Sequence, residues 1–315
     1  MAVTWAVSDG RAGNARQAEA LARALHPDTV HALHLQARAP WRWAAPRRLP
    51  GANSAFGPAF SAQLQQPPGL VIGCGRQAAL ATRLLRARGS VAVQILDPRL
   101  DRRQWDLVVV PEHDALRGEN VLTLLGSLHP VDDAWLAAGR AAFPAVGALP
   151  GPRVALLIGG PTTQVPWTLQ ALAAQCNAVQ AQVRAAGGSL LITASRRTPP
   201  EVVALLRTLQ QGNPGLLWCD ARDGANPYAG LLGWADAIVA SADSVNLLSE
   251  ACATPVPVVA ACAEFARGRV GAYVQALQQR QRLCAADEVL ATTAAMTPVR
   301  ETERIAAQVR MRLGL

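Results

Sequence analysis

Short apolar runs with strand character recur along this chain, each followed by a small polar turn and then by apolar residues at helical spacing. Strands are expected at 3–7, 30–35, 70–72, 91–96, 107–110 and 121–124. Helical patterns follow at 14–25, where Asn14 with Gln17 three residues on reads as a helix cap, and at 77–88. The segment 144–152 (Pro-Ala-Val-Gly-Ala-Leu-Pro-Gly-Pro) reads as a linker. The alternation then restarts, with strands at 153–158, 189–193, 215–219, 237–240 and 256–260 and helices at 167–186 and 200–211. Strands that alternate with helices pair in parallel and are covered on both faces. The expectation is therefore α/β: two doubly wound domains, 1–148 and 149–293. A last amphipathic helix, with its arginines opposite Ile305 and Val309, would brace the first domain from 294–315.

Length and composition narrow what these domains can do. The 315 residues suffice for two domains of about 150 residues each. The formal net charge is +8, and every basic residue is Arg. Absence of Lys excludes a Walker A phosphate loop and a lysine Schiff base. The positive balance suits an anionic partner such as a nucleotide, a phosphorylated lipid or a membrane surface. No aromatic-interleaved basic motif points to nucleic acid. The six cysteines form no C-x-x-C pair and read as reduced structural thiols, so no metal is expected. No signal peptide and no spanning apolar run is legible, and a cytoplasmic protein is expected.

In open α/β sheets, ligands collect beyond the C-terminal ends of strands. The most informative loop of that kind is 241–244, Ser-Ala-Asp-Ser, between strand 237–240 and a helix opening at Asp243 or Ser244. A helix start has unpaired N–H groups and partial positive charge, which suit a phosphate. Glu250 lies six residues beyond Ser244, roughly 9 Å along the axis. That offset matches the distance from a pyrophosphate to the hydroxyls of a ribose. The bland alternative is a capped helix, with Asp243 as cap and Glu250 solvated. Ser195, Arg196 and Arg197 follow another strand and offer two guanidiniums for phosphate contacts. Near the start of the chain, Asp9, Gly10, Gly13 and Asn14 form a tight strand–helix loop. Asp9 is a candidate base or a turn-former. His113, after strand 107–110, is the other candidate base. The loop with Gly75 and Arg76 fits G-x-G-x-x-A, with Asp97 about 20 residues on, and so keeps a nicotinamide site as a rival. It is not the first strand–helix turn of its domain, where that fingerprint belongs. Trp41, Arg42, Trp43, Arg47 and Arg48 lie in a Pro-rich stretch, 40–68, and suit a membrane interface or a lipid-linked acceptor.

Together, 8–14 (Ser-Asp-Gly-Arg-Ala-Gly-Asn), 72–76 (Ile-Gly-Cys-Gly-Arg), 111–114 (Pro-Glu-His-Asp), 158–161 (Ile-Gly-Gly-Pro), 195–199 (Ser-Arg-Arg-Thr-Pro) and 242–251 resemble the ELM1 family. The resemblance covers nearly the whole chain. It implies the GT-B glycosyltransferase fold, two Rossmann-like domains facing across a cleft, with the donor nucleotide on the second. The segment 235–251 is also similar to the donor site of MurG-like glycosyltransferases. There a small-residue turn opens a helix and a later glutamate binds ribose; the turn matches Ala242, Asp243 and Ser244, and the glutamate matches Glu250. Asp243 departs from that pattern, which has a glycine-containing turn. The resemblance implies a metal-independent transferase without a cofactor that uses a nucleotide-diphosphate sugar. Donor contacts would come from Gly160, Ser195, Arg196, Arg197, Ser241, Asp243, Ser244 and Glu250. Gly10, Gly13, Asn14, Gly75 and Arg76 would lie on the acceptor side, with Asp9 or His113 as base. A lipid-linked acceptor would place the protein on the inner face of the membrane. A non-catalytic adaptor and a sugar-nucleotide epimerase are the alternatives.

Overall fold

The computed structural model describes residues 3–286, 290 and 295–315. The chain separates into two compact units, Met1–Pro130 with Glu301–Leu315, and Val131–Arg300. In the first unit the order is β1 (Thr4–Ser8), α1 (Ala12–Leu25), β2 (Val30–His34), α2 (Trp41–Ala44), α3 (Pro58–Gln63), β3 (Leu70–Cys74), α4 (Arg76–Arg86), β4 (Val91–Ile95), β5 (Leu107–Pro111) and β6 (Val121–Leu124). The second unit continues with α5 (Asp133–Ala142), α6 (Pro144–Gly147), β7 (Arg153–Ile158), α7 (Leu169–Ala185), β8 (Ser189–Ala194), α8 (Pro200–Gln210), β9 (Gly215–Trp218), α9 (Tyr228–Trp234), β10 (Ala237–Ser241), α10 (Val245–Cys252), β11 (Val258–Ala261) and α11 (Gly268–Gln279). α12 (Glu301–Leu313) returns to the first unit.

Both sheets are parallel throughout, as the alternation predicts. The first runs β2-β1-β3-β4-β5-β6 and the second β11-β10-β7-β8-β9. In each, strand order reverses once, between β1 and β3 and between β7 and β10. Those two points are where ligands of such sheets bind. Side-chain alternation builds a core on each face of the first sheet. Trp5, Val7, Val108 and Val110 pack with α4 on one side. Ala6, Leu107 and Val109 pack with α1 and α12 on the other. Ile305 and Val309, one turn apart on α12, are fully buried there, each contributing about 1.5–3 kcal/mol. The arginines of α12 bond to carbonyls of the first unit: Arg304 to Thr123, Arg310 to Ala24 and Arg312 to Glu119.

Several local expectations shift. Asn14 does not cap α1: Arg11 holds the cap position and Asn14 sits inside the helix. The segment 144–152 is not a loose linker. It contains α6, with Val146 buried, and the division between units falls ahead of α5 rather than at residue 148. The reason lies in α5, which packs on α9 with Arg140 bonding to the Gly233 carbonyl and the Trp234 indole donating to the carbonyls of Arg140 and Phe143. The Pro-rich stretch 40–68 also folds, with Phe60 buried and Trp41 and Phe56 packed against the core. Among the described residues no helix is long and apolar enough to cross a membrane.

Candidate functional site

At the β7/β10 reversal, two loops are stitched together by buried hydrogen bonds. Ser241 Oγ accepts from the Gly159 N–H at 2.7 Å. Asp243 Oδ2 accepts from the Gly160 N–H at 3.1 Å, and Asp243 Oδ1 from the Trp167 indole at 3.3 Å. Arg197 Nη2 reaches the same carboxylate at 3.3 Å. Asp243 therefore does not cap α10. Its side chain is wholly buried, and burial raises its pKa against the opposing pull of its hydrogen bonds and of Arg197. Gly160 is required by close approach: a Cβ there would lie 2.3 Å from the Arg197 carbonyl. The β8 loop is held in turn by Thr198, whose Oγ1 donates to the Ile158 carbonyl and accepts from Ser195 N–H.

Ser244 is the cap of α10, its Oγ accepting from Leu247 N–H at 3.3 Å. The next N–H groups, of Val245 and Asn246, precede the first intrahelical bond, as at any helix start. Residues 244–247 are half-buried, so this tip is accessible, whereas Ser241 and Asp243 are consumed inside the loop. Arg196 is exposed beside Arg197. Glu250 is not solvated: it is buried and accepts a 2.5 Å hydrogen bond from the Tyr228 hydroxyl. Trp167 and Tyr228 are not legible in the sequence as site residues. They lie 76 and 22 positions from their partners, and no local spacing signals such a meeting.

At the β1/β3 reversal, Asp9 Oδ1 accepts from Arg11 N–H and from Asn14 Nδ2 at 3.0 Å. Asn14 Oδ1 accepts from the Cys74 thiol, and burial with the nearby Asp9 charge pushes that thiol far up. Gly75 needs its glycine, with φ at +90° and a would-be Cβ 2.5 Å from Asn14 Nδ2. Gly10 shares this loop at φ +80°, and Gly13 gives its carbonyl to Gln17. Asp9, Asn14 and Gly75 are thus brought together. Arg76 is turned away: its guanidinium clamps the carbonyls of Arg42, Trp43 and Ala45. His113 follows β5, three strands from β1, or about 14 Å at ordinary strand spacing. Asp9 and His113 therefore do not form one constellation. Asp97 bonds to its own loop at Arg99.

The family model for mitochondrial fission ELM1 matches residues 12–313. The chain belongs to this family. The curated ELM1 protein of Arabidopsis thaliana is 30% identical in an alignment of 276 positions that covers 78% of this chain and 64% of the plant protein. The chain thus spans a little under two thirds of its curated relative. Among solved structures, the S. aureus MnaA–UDP complex superposes with a TM-score of 0.52 at 13% identity, covering 99% of this chain and 97% of that one. The UDP-GlcNAc 2-epimerase of Methanocaldococcus jannaschii gives 0.52 at 12%, covering 99% and 100%. At such identity the likeness concerns the fold, and this ELM1 member has a GT-B-like fold shared with sugar-nucleotide enzymes.

Proposed function

We propose that this ELM1-family chain is a transferase that takes a nucleotide-diphosphate sugar on its second unit. The observation that carries the reading is the accessible start of α10 at the β7/β10 reversal, with Arg196 and Arg197 on the neighbouring loop. The N–H groups after Ser244 receive the pyrophosphate, and Arg196 neutralises it. Arg197 divides its charge between the ligand and Asp243. Asp243 and Ser241 do not touch the donor; they hold the Gly159–Gly160 loop in place beneath it. Glu250 takes the ribose hydroxyls by exchanging its bond from Tyr228 for one from the sugar. A base, Asp9 or His113, removes the proton of an acceptor hydroxyl. The acceptor oxygen bonds to the sugar carbon, and the bonding pair leaves with the nucleotide diphosphate. The helix tip and arginines stabilise that departing charge without a metal or other cofactor.

An anionic membrane surface or a lipid-linked acceptor is proposed for the segment held by Arg76. Trp43 is 68% exposed there, between exposed Arg42, Arg47 and Arg48. On this reading the protein works in the cytoplasm, peripherally on the membrane.

Calorimetry with UDP-, GDP-, ADP- and CMP-sugars tests the donor reading. Saturable binding of one class, weakened by Arg196→Ala, is the expected result. No binding of any donor would put a non-catalytic adaptor first. Inversion at a donor carbon without any acceptor, followed by NMR, would replace the transferase with an epimerase.

A further inference from the structure

The first unit carries a second concentration of positive charge, at the end of its sheet opposite the Asp9 loop. A cavity of about 560 Å³ opens where β4 and β5 begin. Its lining includes Arg48, Arg83, Arg86, Arg103, Gln104 and Asp106. Two of these cations are internally balanced. Arg86 forms a forked ion pair with Asp106, whose Oδ2 also accepts the Ala92 N–H. Arg103 pairs with Asp101 at 2.6 Å. The other two have no carboxylate partner among the described residues. Arg83 donates to the Pro46 carbonyl at 2.5 Å and lies 5.9 Å over the ring of buried Trp105. Arg48 has no hydrogen bond or ion pair among the described residues. Burial and the charge of Arg48 lower the pKa of Arg83, as expected of like charges held together without a counter-ion. Gln104 adds a buried Oε1 that has no hydrogen-bond partner among the described residues. Arg83 and Arg86 also complement the C-terminal dipole of α4. That explanation does not extend to Arg48, which is on no helix and lines the same space.

We propose that this cavity is an anion site, separate from the donor site, that takes a phosphomonoester or diphosphate group between Arg48 and Arg83. Its volume fits a small phosphorylated molecule or a phospholipid headgroup, since small-ligand pockets run from about 300 to 1,000 Å³. Guanidinium forks match phosphate oxygens bidentately, and an anion removes the repulsion between the two arginines.

Phenylglyoxal labelling of the intact protein, read arginine by arginine by mass spectrometry, tests the site with inorganic pyrophosphate as probe. Pyrophosphate should slow modification of Arg48 about tenfold, the scale of one charged hydrogen bond, while adjacent exposed Arg47 is unaffected. Arg196 reports the donor site in the same digest, so failure at one site is distinguishable from failure at the other. Arg48→Ala should weaken calorimetric binding of pyrophosphate to this site by about tenfold. Vesicles of phosphatidylcholine with phosphatidic acid separate the sources. Sedimentation that Arg48→Ala and added pyrophosphate both abolish assigns a lipid headgroup; protection without sedimentation assigns a free phosphate compound. Equal labelling of Arg48 with and without pyrophosphate or vesicles, or unchanged affinity in Arg48→Ala, would overturn the proposal.

Discussion

Replacing Asp243 by Asn tests whether a buried carboxylate organises the second unit's loop. Both carboxylate oxygens are used, one by Gly160 N–H and Arg197, the other by the Trp167 indole. An amide keeps one acceptor. If it stays on Gly160, the NH2 group meets the indole N–H, and a buried donor loses its partner at a cost of about 1–3 kcal/mol. Loss of the Arg197 ion pair adds little, because that guanidinium is 55% exposed. The pH dependence is the sharper readout. Burial raises the pKa of Asp243 in the folded protein. The native state then holds this proton more tightly than the unfolded chain, so wild-type stability through this group is full at acid pH. It falls as pH rises from the ordinary carboxylate value to the raised folded one. The Asp243→Asn variant has no such proton. The stability gap between wild type and variant should therefore be widest on the acid side and narrow toward neutrality. Other carboxylates cancel in the difference. Urea titration followed by tryptophan fluorescence, repeated between about pH 4 and 8, measures it. With a slope of about 2 kcal/mol/M, the acid-side midpoint should drop by roughly 0.5–1.5 M. A gap that stays constant or widens with rising pH would refute the claim that burial dominates at this carboxylate.

Glu250→Ala should weaken binding of the nucleotide sugar by roughly 1.5–3 kcal/mol, as loss of a charged hydrogen bond does. Tyr228→Phe should not weaken it, because in the proposed donor complex the ribose takes that hydroxyl's place; calorimetry on both variants checks this, and an equal loss in both would make the pair merely structural. Arg76→Met releases three carbonyls and should speed tryptic cleavage at Arg42 and Arg47, with under about 2 kcal/mol lost overall because these bonds are partly exposed. Cys176 and Cys252 are buried, and their thiols are pushed up to about 12. In the native protein at pH 8 they should ignore a thiol-disulfide reagent such as DTNB and react only after denaturation, while half-exposed Cys284 reacts at once.

Most strands are legible because their signal is local. An apolar run such as 107–110 or 153–158 between turn residues fits little but a buried parallel strand. The packing of Val108 and Val110 on one face of the first sheet, with Leu107 and Val109 on the other, bears that out. The helix starts are less legible. Asn14 with Gln17 imitates a capping box, yet the Asn14 side chain is drawn to Asp9 and to Cys74, the latter 60 residues away. Asp243 imitates a cap in the same way. Its carboxylate instead answers Trp167 and Gly160, which arrive from another loop.

Residue order alone determined that two parallel sheets form, that a C-terminal amphipathic helix follows, and which polar loops lie at strand ends, because periodicity and turn chemistry act over a few neighbours. Only the tertiary structure decided which of those loops meet. Strand order places the β7 loop beside the β10 loop and the β1 loop beside the β3 loop, leaving His113 apart. That long-range pairing determines which polar side chains are spent holding the loops together, as Asp243, Ser241 and Arg76 are, and which stay accessible, as Arg196 and the tip of α10 do.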